Sequence, residues 1–290
     1  EVTTPNYMRG AVSTGYGVSE FEHGSVFTGH TQDGQRTGFG RCVWPDGTVY
    51  EGEYLRDKRH GQGTIAYADG DTYTGTWHED SKQGTGKRTN AQGHTIEGEF
   101  VGGKIYNGHG TMQTKEGAIV SGTWKDGKME GSCTLTSAAG HVLEGEFREG
   151  YVYNGRGTMV NKDGSTFTGT FVKGKPSGEG VVTTSDGVVS VFGTFTDGVL
   201  SGECKEIDIH GNRYTGLWRN GLKHGHGVYT YADGATLEGC FVHGVRHGVC
   251  TLTDNKGVSH EVEWFMGKVV RGGAPGKVGA KVSRGSDVDS

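Results

Sequence analysis

The 290 residues carry 29 Lys and Arg against 34 Asp and Glu, a formal net charge of −5, and 32% of them are hydrophobic. Gly fills 56 positions, so a large share of the chain has no side chain to bury and a thick aliphatic core is excluded. Four Pro without a G-X-Y period exclude collagen, the 12 Tyr, 11 Phe and 5 Trp exclude simple disorder, and the acidic balance offers no basic footprint for nucleic acid.

The chain begins with Glu1, which reads as a trimmed or partial sequence, and residues 1–14 are taken as an N-terminal segment. No basic stretch leads into an apolar run there, so no signal peptide is visible, and no apolar run is long enough to span a membrane. From residue 15 the sequence repeats. One Gly recurs at 29, 52, 75, 98, 122, 145, 169, 193, 216 and 239, always 23 or 24 residues apart. Ten full units therefore begin at Phe27, Tyr50, Tyr73, Ile96, Val120, Leu143, Phe167, Val191, Tyr214 and Leu237. A half-unit around Gly15-Tyr16-Gly17 precedes them. A worn unit at His260 follows, in which Val262 replaces the Gly and Trp264 keeps the aromatic position. The array covers 15–269, and 270–290 is expected to be a flexible basic tail.

Each unit reads as a β-hairpin. Tyr50, Gly52 and Tyr54 share one face while Glu51 and Glu53 take the other, the period of two that a strand requires. A polar turn is expected at Arg56-Asp57-Lys58-Arg59, a second strand from Gly61-Gln62-Gly63 through Tyr67, and a return turn at Asp69-Gly70. No helical period is present. The pattern predicts an all-β, elongated single-layer solenoid of stacked hairpins, about ten full units long. Gly leaves a gap in which a ring can lie on the backbone, so Trp77, Trp124, Phe147 and Trp218 are expected to share one face and be largely buried. Acidic pairs (Glu51/Glu53, Glu97/Glu99, Glu144/Glu146) alternate with hydroxyl pairs, and 105–112 recurs closely as 152–159. Duplication of paired units and a charge pattern selected for a partner or for solubility both account for this.

Tyr50-Glu51-Gly52-Glu53-Tyr54 with Arg59-His60-Gly61-Gln62-Gly63, and Tyr214-Thr215-Gly216-Leu217-Trp218 with His224-Gly225-His226-Gly227, resemble the MORN (membrane occupation and recognition nexus) repeat. The resemblance covers about residues 15–269; Thr31, Phe192 and the last unit depart from it. MORN arrays occur in radial-spoke heads, parasite cytoskeletal scaffolds, junctional membrane proteins, plant phosphoinositide kinases and one class of lysine methyltransferase. The resemblance therefore implies a non-enzymatic structural scaffold in a microtubule-based assembly, foremost a ciliary or flagellar radial-spoke head. Its implied partners are other cytoskeletal or axonemal proteins, its implied location the cytoplasm and cytoskeleton. The alternative is a membrane-tethering or phosphoinositide-binding module. Association of some MORN scaffolds through terminal repeats also implies a homodimer as one arrangement.

Trp264 and Phe265, large rings at an incomplete end, are the candidate partner contacts. Arg56, Lys58, Arg59, Arg219 and Lys223 are the candidate contacts to anionic lipid. His60, His224 and His247 read as turn residues, because equivalent positions about 10 Å apart cannot share one zinc. Gly84-Thr85-Gly86-Lys87-Arg88 and Gly272–Val278 lack the Ser or Thr that a phosphate loop places after its Lys, so no nucleotide or other cofactor is expected. Cys42, Cys133, Cys204, Cys240 and Cys250 are an odd set without C-x-x-C, expected to be free thiols in a reducing, intracellular setting. No catalytic constellation stands out.

Overall fold

The computed structural model describes residues 8–9, 13–21 and 23–272; most of the N-terminal segment and the tail beyond 272 lie outside them. Among the described residues there is no helix, and strands run from Met8–Arg9 to Lys268–Arg271. They fall into two compact bodies, Glu1–Met159 with Phe171–Gly174, and Val160–Thr170 with Lys175–Ser290. In each body the strands pair antiparallel with their sequence neighbours, giving an open sheet that does not close on itself.

One repeat shows how the residues dictate this. In Val49–Leu55, Tyr50, Gly52 and Tyr54 are buried and Glu51, Glu53 and Leu55 exposed. Arg56 and Asp57 then take φ of 50° and 68°, the signature of a two-residue turn whose twist matches the strands it joins. Leu55 pairs directly with Lys58. The expected four-residue turn is thus half as long, and Lys58 and Arg59 belong to the strand Lys58–Ala66. At Gly61 (φ 57°) that strand bulges, and the amide of Gln62 donates to Glu53 Oε1 at 2.8 Å. Beyond the strand, Tyr67 N–H donates to Asp71 O and Gly70 N–H to Tyr67 O, closing the return turn predicted at Asp69-Gly70.

The core is built from rings laid on glycines. Gly52 and Gly63 are directly opposite, and the Tyr50 ring covers both; a Cβ added at Gly63 would sit 2.6 Å from Tyr50 Cζ. Phe27, Tyr73, Phe167 and Tyr214 cover their own glycine pairs in the same way. Each ring therefore lies on its own repeat, and contact with the next repeat is made edge to face. In the first body the chain Phe27–Tyr54–Tyr50–Trp77–Tyr73–Phe100 is continuous, with centroids 5.1 to 5.4 Å apart. Each such pair contributes about 0.5–1.5 kcal/mol beyond area burial.

Where a repeat opens with Val120, Val191 or Leu237, no ring is available to cover the glycine. The space over Gly122, Gly193 and Gly239 is then taken by Cys133, Cys204 and Cys250, each thirteen residues after the aliphatic residue. Every ring-bearing repeat just named has Gly at that thirteenth position. In the repeats opening with Ile96 and Leu143, Ile105 and Val152 reach over Gly108 and Gly155 instead. Ring volume is replaced, and close packing is kept. Trp77, Trp124 and Phe147 are buried as expected. Trp218 is less deeply buried than these three, with most of its surface still covered. The Trp77 indole N–H donates to Gly63 O at 3.2 Å, whereas the position equivalent to Gly63 before Trp218 is Cys204, and Trp218 Nε1 has no partner among the described residues.

Candidate interaction surfaces

The first residues of the second strands set up a row of cations. Arg36, Arg59 and Lys82 are spaced by one repeat in the first body, as are Lys223 and Arg246 in the second. Each rests on rings of the core. The Arg36 guanidinium lies 4.9 Å from the Tyr54 centroid, Arg59 4.4 Å from Trp77, Lys82 4.9 Å from Tyr73, Lys223 4.8 Å from Tyr214, and Arg246 4.8 Å from Trp264.

Arg36 and Arg59 are also clamped by a carboxylate from the following repeat. Arg36 donates through Nε to Asp57 Oδ1 (3.1 Å) and through Nη2 to Asp57 O (2.7 Å), while Asp57 N–H donates back to Arg36 O. Arg59 repeats the arrangement on Asp80, with Nε to Oδ1 at 2.9 Å. Asp57 and Asp80 hold φ of 68° and 67° at a turn position that Gly fills in the other hairpins, as in Asp33-Gly34. The clamp offsets the conformational cost of a side chain there.

These groups border an open groove of about 450 Å³ in the first body, lined by Arg36, Trp44, Asp46, Thr48, Tyr54, Arg59, Ile65, Tyr67 and Asp80. Its aromatic floor includes the Tyr54 hydroxyl, which is buried within hydrogen-bonding reach of the Cys42 thiol. Burial pushes the pKa of that phenol well above its ordinary value, so it remains a neutral donor. In the second body, Trp218 Nε1 and Trp264 Nε1 are buried without partners among the described residues, beside Lys223 and Arg246 respectively. Sequence reasoning missed the groove, although Trp44, Tyr67 and the Arg36–Arg59 spacing were its visible signal.

Three of the five lipid candidates are engaged by carboxylates. Lys58 pairs with Glu79 (3.3 Å), Arg59 with Asp80, and Lys223 with Glu206 (2.8 Å). Arg56 and Arg219 are exposed, each in its own body. Trp264 and Phe265 separate onto opposite faces of the strand Ser259–Phe265. Trp264 is half-buried under Arg246, and Phe265 is 62% exposed beside the His247 ring. A further strand, Lys268–Arg271, pairs outside them, so the worn repeat still completes a hairpin.

The histidines pair by ring contact, His60 with His78 and His224 with His243. Among the described residues no three His, Cys, Asp or Glu converge on a metal position. Gly84–Arg88 lies within the strand Ser81–Thr89, the wrong setting for a phosphate loop, and most of the second Gly-Lys segment lies outside the described residues. All five cysteines are free; Cys240 is exposed and Cys250 buried, so the two thiols of that repeat do not meet. Among the described residues no helix is long and apolar enough to cross a membrane.

The chain belongs to the MORN repeat family, whose model matches 27–49, 50–72, 73–95, 121–142, 167–189, 214–236 and 238–259. The repeats opening at Ile96, Leu143 and Val191 lie outside the matched segments, although the hairpin pattern runs through them. MORN repeats mark protein-interaction or membrane-associated scaffolds, and proteins built from them are generally non-catalytic. No curated protein matches the chain. Among solved structures, it is similar to the wild-type TCP10 domain of Danio rerio CPAP in complex with a peptide of Danio rerio STIL (13% identity, TM-score 0.36, 90% of this chain and 100% of that one). It is also similar to that domain without the peptide (14%, 0.26, 89% and 100%). A third similarity is to the SAS-4 (dCPAP) TCP domain of Drosophila melanogaster in complex with a proline-rich motif of Ana2 (dSTIL) (12%, 0.17, 69% and 81%).

Proposed function

We propose that the chain is a non-enzymatic scaffold that binds other proteins within a microtubule-based assembly, with the radial-spoke head of a cilium or flagellum as its setting. The observation that carries the protein-binding part is the groove of the first body. Trp44, Tyr54 and Tyr67 give it aromatic walls, and Arg36 and Arg59 give it fixed guanidinium planes. Large rings and Arg are the residue types that dominate binding energy between proteins. The axonemal setting rests on the resemblance of the repeats. Membrane tethering is the weaker reading, because three of its five basic candidates, Lys58, Arg59 and Lys223, are paired with Glu79, Asp80 and Glu206, and the net charge is acidic.

The test expresses the tagged full chain in ciliated cells and follows it through detergent extraction of axonemes, beside flotation on vesicles containing phosphatidylserine and phosphoinositide. Retention on the extracted axoneme, lost in a Trp44→Ala/Tyr67→Ala variant, is the expected result. Flotation with the vesicles together with complete release by detergent refutes the proposal.

A further inference from the structure

One member of the cation row, Lys82, has neither an ion pair nor a side-chain hydrogen bond among the described residues. The carboxylates that clamp Arg36 and Arg59 arrive twenty-one residues later, at Asp57 and Asp80, and the corresponding position for Lys82 is Gly103. The backbone is the same in all three places. Gly103 N–H donates to Lys82 O as Asp57 and Asp80 do to Arg36 and Arg59, and the turn angles match, 56° and 79° at Gly102-Gly103 against 50° and 68° at Arg56-Asp57. Only the carboxylate is gone. Lys223 and Arg246 also face a Gly there, but they have recruited Glu206 and the Tyr231 hydroxyl. Among the described residues Lys82 has no ion pair. The nearby Asp71 carboxylate is held by Arg88 at 2.7 Å, and the Lys82 ammonium lies between the faces of Tyr67 (5.0 Å) and Tyr73 (4.9 Å).

We propose that Lys82 is a selective acyl-acceptor lysine, modified by activated acyl groups such as thioesters and acyl phosphates. Its Nζ lone pair attacks the acyl carbonyl carbon. An N–C bond forms, the C–S or C–O bond to the leaving group breaks, thiolate or phosphate departs, and the proton of the amine passes to solvent. The product is a neutral amide stacked on two phenol rings, which no longer requires a counter-ion. The chemistry is favoured because burial, reinforced by the charges of Arg88 and Arg59 and only partly opposed by Asp71, lowers the Lys82 pKa to about 8. At about pH 7.5 an amine of that pKa is free roughly two-hundredfold more often than one at the ordinary value of about 10.4. A Brønsted loss of nucleophilicity like that of thiols, about 0.4–0.5 per unit, returns roughly tenfold of the gain. The net expectation is a rate about ten- to twentyfold above that of ordinary exposed lysines.

The experiment incubates the full chain with acetyl-CoA in one arm and acetyl phosphate in the other, and reads acetyl occupancy at each lysine by peptide mass spectrometry. Lys58 and Lys87, exposed and paired with Glu79 and Glu97, are the comparators. Lys82 should be acetylated about ten- to twentyfold faster than both in at least one arm, which also identifies the donor class. Gly103→Asp is the second variant. A Cβ there meets nothing within 4 Å, and Asp already occupies this backbone conformation at residues 57 and 80, so the fold is retained. The new carboxylate should bring the Lys82 rate down to that of the comparators. Equal rates for Lys82, Lys58 and Lys87 in both arms, or a Lys82 rate unchanged by Gly103→Asp, overturn the proposal.

Discussion

The exchange of a ring on glycine for an aliphatic residue with cysteine can be transplanted. In the second repeat Tyr50 covers Gly63, and Leu237 with Cys250 performs the same packing in the last full repeat. Tyr50→Leu removes two edge-to-face contacts, to Tyr54 at 5.2 Å and Trp77 at 5.4 Å, and leaves a void over the glycines. At about 0.5–1.5 kcal/mol for each ring pair, plus the lost burial, the single variant should lose about 2–4 kcal/mol. Gly63→Cys drives a side chain into the Tyr50 ring, an overpacking cost of about 1–3 kcal/mol. In the double variant the cysteine enters the space the ring has left. The ring contacts and the Tyr50 Oη bond to Glu53 O remain lost, so the total should be about 1–3 kcal/mol and the coupling about 3 kcal/mol in favour of the pair. Urea unfolding of the four proteins, followed by fluorescence and with the slope checked for constancy, measures the cycle. If the losses simply add, the cysteine does not replace the ring and the packing argument fails.

Other expectations follow from burial. Trp77→Ala should cost about 3–5 kcal/mol, and Trp218→Ala, at a less deeply buried residue with an unpaired indole N–H, less than half of that; thermal melts that rank them the other way refute the assignment. Burial pushes Tyr73 and Tyr214 up to about 12 and Tyr50 and Tyr54 in the same direction. The folded chain therefore keeps these protons above the unfolded value of about 10, so stability is intact below about pH 10 and is lost as pH rises toward 12. An alkaline titration should show tyrosinate absorbance appearing together with loss of the sheet signal, and ionisation near pH 10 without unfolding contradicts this. Burial also raises the pKa of the Cys42, Cys204 and Cys250 thiols, so brief treatment of the native protein with iodoacetamide should label the exposed Cys240 and spare them. Equal labelling counts against the buried positions.

The repeat length, the two strands in each repeat and the face that Tyr50, Gly52 and Tyr54 share were all legible in the chain, because a period of two and a recurring glycine are local properties of the backbone. The ring-for-cysteine exchange was legible as well, since Val120, Val191 and Leu237 each precede a cysteine by thirteen residues. It becomes intelligible only once Gly63 and Cys250 are seen at the same place beneath a ring or beside an aliphatic side chain. The turn at Arg56-Asp57 was read too long, because a polar run does not reveal which two residues take positive φ. The strand pairing makes that choice, as it does at Gly102-Gly103 where no clamp exists. The clamp from Arg36, twenty-one residues earlier, lets Asp57 occupy a position that glycine otherwise fills. The same distance hid the groove, the engagement of Arg59 and Lys223 by carboxylates, and the missing partner of Lys82. The sequence determines which residues can form a hairpin and cover its glycines. Which charges are neutralised and which polar atoms stay unpaired is decided by the stacking of one hairpin on the next, because ion pairs and ring contacts are set by distances of a few ångströms between residues about twenty positions apart.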